Sequence, residues 1–215
     1  MYAPPHFEEL RHEQLQTLIA QNPLGILVTH GSSGLDANHL PFDLETREGS
    51  SGALHTHVAR GNSVWRHISA GDEVLVIFRG ADAYISPNWY PSKHENHRQV
   101  PTWNYMVAHA HGRATVHDDA RYLRGLVGRL TKRHEASQPR PWRMADSSQE
   151  FIEEMLGKIV GIEISITRLV GKFKLSQNRE SRDALGAANA LKAQGHHAVG
   201  DAMLARLAER DDTTR

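Results

Sequence analysis

Cysteine is absent from all 215 residues of the chain, which excludes disulfide bonds, thiolate metal sites and a cysteine nucleophile. An excess of charge is also absent, because 25 Lys and Arg residues balance 25 Asp and Glu residues. A neutral chain has no overall field that would draw it to nucleic acid or to an anionic membrane. The sequence contains no Walker loop, no dinucleotide-binding fingerprint and no Ser/His/Asp ordering typical of a hydrolase.

Long apolar runs are missing as well, since none approaches the roughly 20 residues needed to span a bilayer. The first six residues, Met1–His6, lack the basic and apolar regions of a signal peptide. Both absences predict a cytoplasmic protein that does not enter a membrane. The length, with 39% hydrophobic residues, fits one large domain or one domain with a helical appendage.

Short apolar runs separated by turn residues predict a series of β-strands. The predicted strands cover residues 24–29, 35–45, 54–58, 73–78, 83–85, 102–116 and 159–169. Strands of this length at this spacing favour a β-barrel over a doubly wound sheet.

Apolar residues at helical spacing predict helices between and after the strands. The predicted helices cover 8–21, 63–69, a segment opening at Asp118, a segment capped by Ser147, 182–193 and 198–209. We expect residues 1–180 to form a barrel domain and residues 181–215 a C-terminal helical extension, packed on the barrel or on a partner. Its last residues, 211–215, should be frayed.

The segment from Tyr84 to Tyr105 concentrates the aromatic residues, with two of the four tryptophans and three of the five tyrosines. Pro87, Pro91 and Pro101 exclude a continuous helix there, so we predict a long irregular loop with a polar tip between two aromatic ends. Such a loop is either stapled to the surface by its aromatics or forms a platform for a flat ligand. We favour the ligand platform.

Several sequence blocks, in a consistent order, resemble the PaiB-type family of FMN-binding negative transcriptional regulators. The blocks are Asn38–Phe42, Leu54–Asn62, Ser86–Lys93, Val100–Tyr105 and Gly171–Arg179. The resemblance implies a mainly β, α+β fold, the FMN-binding split β-barrel related to pyridoxamine phosphate oxidase, with peripheral helices. It also implies FMN as the cofactor and a homodimer with the flavin at the subunit interface.

The FMN phosphate is expected at the turn that follows the strand 54–58. An Arg fork and a Gly that lets backbone approach closely are suited to an anion, although the same residues also make an ordinary strand-to-helix turn. Set beside the family resemblance, they predict that Arg60 and Asn62 contact the phosphate, with Thr56 or His57 assisting. Ala59, in the same turn, is also predicted to belong to the cofactor site. Lys174, Gln177 and Asn178 could form a second phosphate clamp, contributed by the other subunit.

The isoalloxazine ring needs a hydrogen-bonding edge and apolar cover for its faces. The strand residues Asn38, His39, Leu40 and Pro41 can supply both, because Pro41 marks a strand edge or a bulge. Ser86, Trp89 and Trp103, in the aromatic segment, are expected to approach and cover the ring. For any single tryptophan, ordinary core packing is the alternative.

The basic segment from Arg168 to Arg182 carries five cations and one acid, Glu180. It is a solvated face, a phosphate clamp or a DNA contact. Since no helix-turn-helix pattern is present, we expect direct DNA binding to be weak at best.

Two histidine pairs, His55/His57 and His109/His111, lie at the i,i+2 spacing that metal sites use. With no carboxylate at matching spacing, lining of the barrel or an interface is the plainer interpretation. The preferred function is a regulatory FMN-binding homodimer, with an enzymatic role left open but not favoured. The alternatives are a flavin-dependent oxidoreductase acting on a small metabolite and a haem-binding split-barrel protein that uses a strand histidine.

Overall fold

The computed structural model describes residues 1–32, 34–46 and 51–213, which form eight strands and seven α-helices. The strands are β1 Glu8–Glu9, β2 Leu24–Gly31, β3 Gly34–Pro41, β4 Asp43–Glu45, β5 Ala53–Ala59, β6 Glu73–Ile85, β7 Thr102–His117 and β8 Ile159–Lys174. The α-helices are α1 His12–Gln21, α2 Val64–His67, α3 Pro91–Asn96, α4 Ala120–Glu135, α5 Gln149–Leu156, α6 Ser181–Ala193 and α7 His197–Thr213. Three short 3-10 helices add Pro5–Phe7, Pro87–Trp89 and Met144–Asp146.

The strands form one sheet in the order β3-β2-β6-β7-β8-β5-β4, with β1 paired to β8. The ladders β1–β8, β2–β3, β2–β6, β4–β5 and β5–β8 are antiparallel. β3 therefore stands at one end of the strand order. Its last residue, Pro41, has no backbone N–H to donate, which an edge strand tolerates.

The chain divides into two compact units. The first unit contains residues 1–18, 79–108 and 170–215, and the second contains 19–78 and 109–169. The boundary expected near residue 180 stays a prediction.

In the second unit, the core forms under β2, β5, β6 and β8. Phe42 and Phe78 meet edge to face with ring centroids 5.6 Å apart, a favourable aromatic geometry. Gly25 lies against them, and a Cβ at this position would come within 2.7 Å of the Phe78 ring. A larger residue at position 25 would therefore overpack the core.

In the first unit, α6 and α7 pack against each other through small and apolar side chains. The buried contact residues include Ala184, Ala188, Leu191 and Met203. Gly186 lets the backbone of the aromatic segment approach α6, because a Cβ there would lie 2.4 Å from the Trp89 carbonyl oxygen.

Two predictions of where strands begin and end were wrong. The strands expected at 73–78 and 83–85 are one strand, β6, because Gly80 serves close packing and not a turn: a Cβ on it would lie 2.6 Å from Leu18. The strand expected at 35–45 is interrupted at Phe42 and forms β3 and β4.

The irregular loop predicted between Tyr84 and Tyr105 was also wrong, since this segment contains a 3-10 helix and α3. Pro87 and Pro91 each stand at the start of a helix, where a missing backbone N–H leaves no hydrogen bond unmade. His97 ends α3 in the left-handed conformation, with φ 56°.

Predicted helix starts differ by a few residues. Residues 8 and 9 pair with β8 and so are not helical, which delays α1 to His12. The caps of α4 and α5 are Asp119 and Ser148, each one residue later than expected.

At the C-terminus, α7 reaches Thr213. Fraying was predicted for residues 211–215; residues 211–213 are helical instead, and residues 214 and 215 lie outside the described part. Within that part, no helix is both long enough and apolar enough to cross a membrane.

Candidate functional site

Side-chain hydrogen bonds join the two predicted cofactor blocks of the second unit. Thr56 Oγ1 donates to the Pro41 carbonyl oxygen at 2.8 Å, and Asn62 Nδ2 donates to Asn38 Oδ1 at 2.8 Å. These bonds bring the end of β3 to the end of β5, although the ladder partner of β3 is β2. In the strand order β3 is next to β2, so β3 and β5 meet through these side chains.

The predicted phosphate turn is held by its own polar groups. The Asn62 backbone N–H donates to the Ala59 carbonyl, and Asn62 Oδ1 accepts from the Val64 N–H. Trp65 Nε1 donates to the Arg60 carbonyl at 3.1 Å. The turn is thus stabilised by hydrogen bonds among its own residues.

The Arg60 guanidinium makes four hydrogen bonds within the protein. It forks onto both carboxylate oxygens of Asp118, at 2.5 and 2.8 Å, and donates to the carbonyls of Gly157 and Ile159. A guanidinium has five N–H donors, so one is left over. Phosphate contact by Arg60 stays a prediction, and Asp118 would compete with the phosphate for it.

His57 is the most informative residue of the set. Its Nδ1 is buried and has no hydrogen-bond partner in the part of the chain that the structure describes. Burial lowers the pKa of the imidazole, because desolvation penalises the charged form. Buried polar atoms normally have partners, so a neutral His57 has unused hydrogen-bonding capacity.

His57 and Pro41 line a cleft of about 290 Å³ whose opposite wall is α4. The remaining lining residues are Val127, Leu130, Thr131, His134, Glu135 and Trp142. Sequence reasoning missed this wall. The available signal was the polar set Thr131, His134 and Glu135, which falls on one helix face at i, i+3 and i+4.

Of the other two residues of the β3 block, Leu40 is buried and His39 is exposed. The polar edge formed by Asn38 and Asn62, the apolar cleft wall and the unpartnered His57 nitrogen together suit a flat heteroaromatic ring with hydrogen-bonding edges.

The six remaining predicted residues belong to the first unit. Trp103 is 54% exposed and meets Tyr84 edge to face, with ring centroids 6.1 Å apart. Lys174 Nζ donates to the Trp103 carbonyl at 2.6 Å and to Thr102 Oγ1. Burial, with the neighbouring cations Lys172 and Arg179, lowers the pKa of Lys174.

Both ends of the Gln177 side-chain amide are hydrogen-bonded to nearby backbone. Its Oε1 accepts from the Leu175 N–H, and its Nε2 donates to the Phe173 carbonyl. Asn178 is exposed. Ser86 Oγ caps the following 3-10 helix, and Trp89 is half-buried. Within the first unit, Lys174 and Trp103 are therefore brought together, whereas Gln177 is occupied by local backbone.

The five cations of the basic segment all contact protein groups. Arg168 bonds His111, Lys172 the Tyr2 carbonyl, Lys174 the groups named above, Arg179 the Gln99 amide oxygen and Arg182 the Glu95 carboxylate. These cations are thus already hydrogen-bonded within the protein, and a nucleic acid would have to displace their partners.

The histidine pairs do not form a metal-like cluster. His55 uses both ring nitrogens, at 2.9 Å from the Tyr122 hydroxyl and 3.0 Å from Glu45, and Tyr122 stacks on His117 at 3.9 Å. Across the described ranges, no three His, Asp or Glu side chains come together in a way that could hold a metal ion.

This fold and this set of residues define a flavin-binding split-barrel protein. Residues 1–168 match the family described as "Putative FMN-binding domain", and the chain belongs to that family. FMN is thereby confirmed as the predicted cofactor.

Two relatives cover nearly the whole chain. Protease synthase and sporulation protein PAI 2 of Bacillus subtilis is 31% identical, over 89% of this chain and 89% of its own length. An uncharacterized protein of Emericella nidulans is 33% identical, over 86% of this chain and 88% of its own length. The first of these confirms the resemblance to the PaiB-type family.

A solved structure shares the fold at low sequence identity. The flavocytochrome Anf3 of Azotobacter vinelandii aligns with a TM-score of 0.56 at 12% identity, over 78% of this chain and 69% of that one. The predicted fold class, a mainly β split barrel with peripheral helices, is confirmed.

Proposed function

We propose that the protein is a cytoplasmic FMN-binding homodimer with a regulatory role, and that each flavin lies at the contact between the two chains. The observation that carries this proposal is the unpartnered His57 nitrogen at a cleft next to the Asn38–Asn62 and Pro41–Thr56 hydrogen bonds. When bound, FMN supplies redox chemistry and a visible chromophore.

The ring of FMN is placed at the cleft and its phosphate towards the turn of Ala59–Asn62. A volume of about 290 Å³ lies at the lower end of ligand pockets, which suits part of the flavin rather than the whole cofactor. His57 Nδ1 then gains the hydrogen bond that it lacks, and Pro41, Val127 and Leu130 supply apolar contact.

The second chain is proposed because the first unit exposes aromatic side chains. Tyr84 is 46% exposed beside Trp103, and Tyr105 lies nearby on β7, with Lys172 over its ring at 5.4 Å. Exposed aromatic patches on proteins commonly mark interfaces. We place this aromatic face, with Lys174 and the segment Ser176–Asn178, against the flavin of the partner chain.

A regulatory role is proposed from the relative named as a protease synthase and sporulation protein. Because the cations between Arg168 and Arg182 already bond protein groups, we propose that any effect on DNA is indirect.

The test is an absorbance spectrum of purified protein with added FMN, followed by FMN and FAD titrations. The proposal expects flavin bands and tighter binding of FMN than of FAD. A Soret band would favour a haem protein, and flavin that is reduced by NAD(P)H and reoxidised by a metabolite would favour an oxidoreductase. Either result would overturn the regulatory assignment.

Trp103→Ala tests the partner contribution, with Phe151→Ala as the matched control, because Phe151 is an exposed aromatic on α5. Loss of a large aromatic from an interface should weaken FMN binding about tenfold, while the control should bind FMN as the wild type does. Equal affinities in the two variants would remove Trp103 from the site.

A further inference from the structure

A second and larger cleft lies along the same helix, next to the His57 cleft. We call it the α4 groove: it has a volume of about 710 Å³ and is lined by Gly128, Thr131, Lys132, Glu135, Ala136 and Pro141–Ala145. All of these residues belong to the second unit. The volume lies within the range of small-molecule sites in proteins.

The outer wall of the groove is a segment held by specific hydrogen bonds. The Trp142 backbone N–H donates to Glu135 Oε2 at 2.9 Å, and the Arg143 N–H donates to Asp146 Oδ2 at 2.8 Å. These bonds tie the segment to the end of α4 and to the 3-10 helix that follows. The groove thus has a wall fixed to the helix that forms its other side.

The apolar part of the lining suits a flat body. Trp142 is 41% exposed and lines the groove together with Met144 and Pro141. Gly128 contributes no side chain to the lining, and a Cβ there would make an ordinary van der Waals contact of 3.4 Å with the Met144 methyl. An exposed indole offers a large face for stacking at low entropic cost.

The charged part of the lining suits an anion. Lys132 and Arg143 line the groove, and neither has an ion pair within the ranges that the structure describes. The one lining carboxylate, Glu135, already accepts the Trp142 N–H. An anion entering the groove would therefore meet two cations without ion-pair partners among the described residues and one carboxylate, so that the lining carries a net positive charge.

We propose that the α4 groove binds a small amphipathic anion, with a flat apolar body stacked on Trp142 and an acidic group between Lys132 and Arg143. Thr131, Glu135 and Trp142 line both this groove and the His57 cleft. The ligand therefore touches a wall of the flavin site and alters the environment of the flavin, a coupling that rests on the proposed function. Binding itself requires no flavin.

The experiment uses a matched pair of fluorescent probes on the full-length protein. Anilinonaphthalene sulfonate carries an acidic group, and N-phenyl-1-naphthylamine has a similar aromatic body without it. The double variant Lys132→Ala/Arg143→Ala should bind the sulfonate about threefold to tenfold more weakly, the scale of two exposed charge contacts. Its affinity for the neutral probe should stay within about twofold.

Two further variants separate charge from shape. Arg121→Ala/Lys158→Ala removes two exposed cations of the same unit that do not line the groove, and it should bind both probes as the wild type does. Gly128→Leu fills the floor of the groove and should weaken both probes. Because it could also disturb α4, its circular dichroism and thermal unfolding are compared with those of the wild type.

Unchanged sulfonate affinity in Lys132→Ala/Arg143→Ala, or equal losses in that variant and in the Arg121/Lys158 control, would overturn the proposal. Sulfonate binding that disappears as the protein self-associates would also overturn it, because the groove would then be covered by a second chain. An FMN titration of the same samples keeps the two proposals apart. Failure of FMN to bind would remove the proposed function while leaving the probe result standing.

Discussion

Two regions of the molecule treat a buried polar side chain in opposite ways. In the first unit, Asp183 is 1% exposed and accepts from the Ser92 N–H at 3.0 Å and from Ser92 Oγ at 2.6 Å. Gln99 donates to Ser92 Oγ, and Arg179 donates in turn to Gln99. In the second unit, His57 Nδ1 is buried and has no such partner among the residues that the structure describes.

We assign different roles to these two side chains from their positions. Lack of a partner alone does not mark a ligand-binding group, because Tyr90 Oη and Asn104 Oδ1 of the first unit are also buried without a partner among the described residues. Asp183 fastens α3 to α6, so its hydrogen bonds are all made inside the protein and contribute to stability. His57 lies at an open cleft, where the missing partner is best supplied by a ligand. A change at Asp183 should therefore affect folding, and a change at His57 should affect binding.

The largest expected effect is on stability. Asp183→Ala leaves the Ser92 N–H and hydroxyl buried without an acceptor, and should lower the free energy of unfolding by about 3 kcal/mol. Asp183→Asn keeps one acceptor and should cost about 1 kcal/mol. Urea unfolding of the two variants checks this, and equal losses would show that the carboxylate is not the structural element.

The next prediction concerns His57, where a substitution should not lower the free energy of unfolding. His57→Phe removes a buried polar atom that has no partner, so the free protein should be unchanged or more stable by up to about 1 kcal/mol. FMN affinity should fall about fivefold to tenfold, because one hydrogen bond to the ligand is lost. Destabilisation without a loss of FMN affinity would make His57 a structural residue like Asp183.

A smaller effect concerns pH. Burial lowers the folded-state pKa of His57, and also those of His109 and His111, below the ordinary value of 6.5. The unfolded chain then binds more protons than the folded one, so stability is full above pH 6.5 and falls as the pH drops below it. His57→Phe should lose less stability than the wild type between pH 7.5 and 5.5. Parallel pH profiles would contradict the burial of a neutral His57.

The smallest expected effect is on DNA. Lys172→Ala/Lys174→Ala should leave any DNA binding weak, as in the wild type, because both lysines already bond the protein. Mobility-shift assays at several salt concentrations check this, since phosphate contacts give a steep salt dependence. Tight, sequence-specific binding that survives both substitutions would reveal a reading element elsewhere in the chain.

Much of the fold could be predicted from the sequence, since alternating apolar residues mark β5 and β8 and helical stripes mark α4 and α6. The local sequence was a poorer guide to secondary structure where one residue type serves two structural roles. Gly80 is a turn residue by type but serves close packing inside β6, and Pro91 breaks helices yet starts α3.

The candidate site was predictable only in part. The resemblance identified the Asn38–Pro41 and Thr56–Asn62 blocks, which the structure joins by hydrogen bonds. The Arg60–Asp118 fork and the cleft wall carrying Trp142 depend on residues far apart in the chain. No local pattern indicates such contacts, because they arise from the packing of α4 against the sheet.

The central claim is that FMN is bound by two chains together. Its most direct test is sedimentation analysis of dimer dissociation, with and without FMN, for the wild type and for Trp103→Ala. If ligand binds only the assembled state, FMN should stabilise the wild-type dimer by about 2.7 kcal/mol per bound flavin at 100 times its dissociation constant. The gain should be smaller in Trp103→Ala. A monomer that binds FMN as tightly as the dimer would contradict the claim.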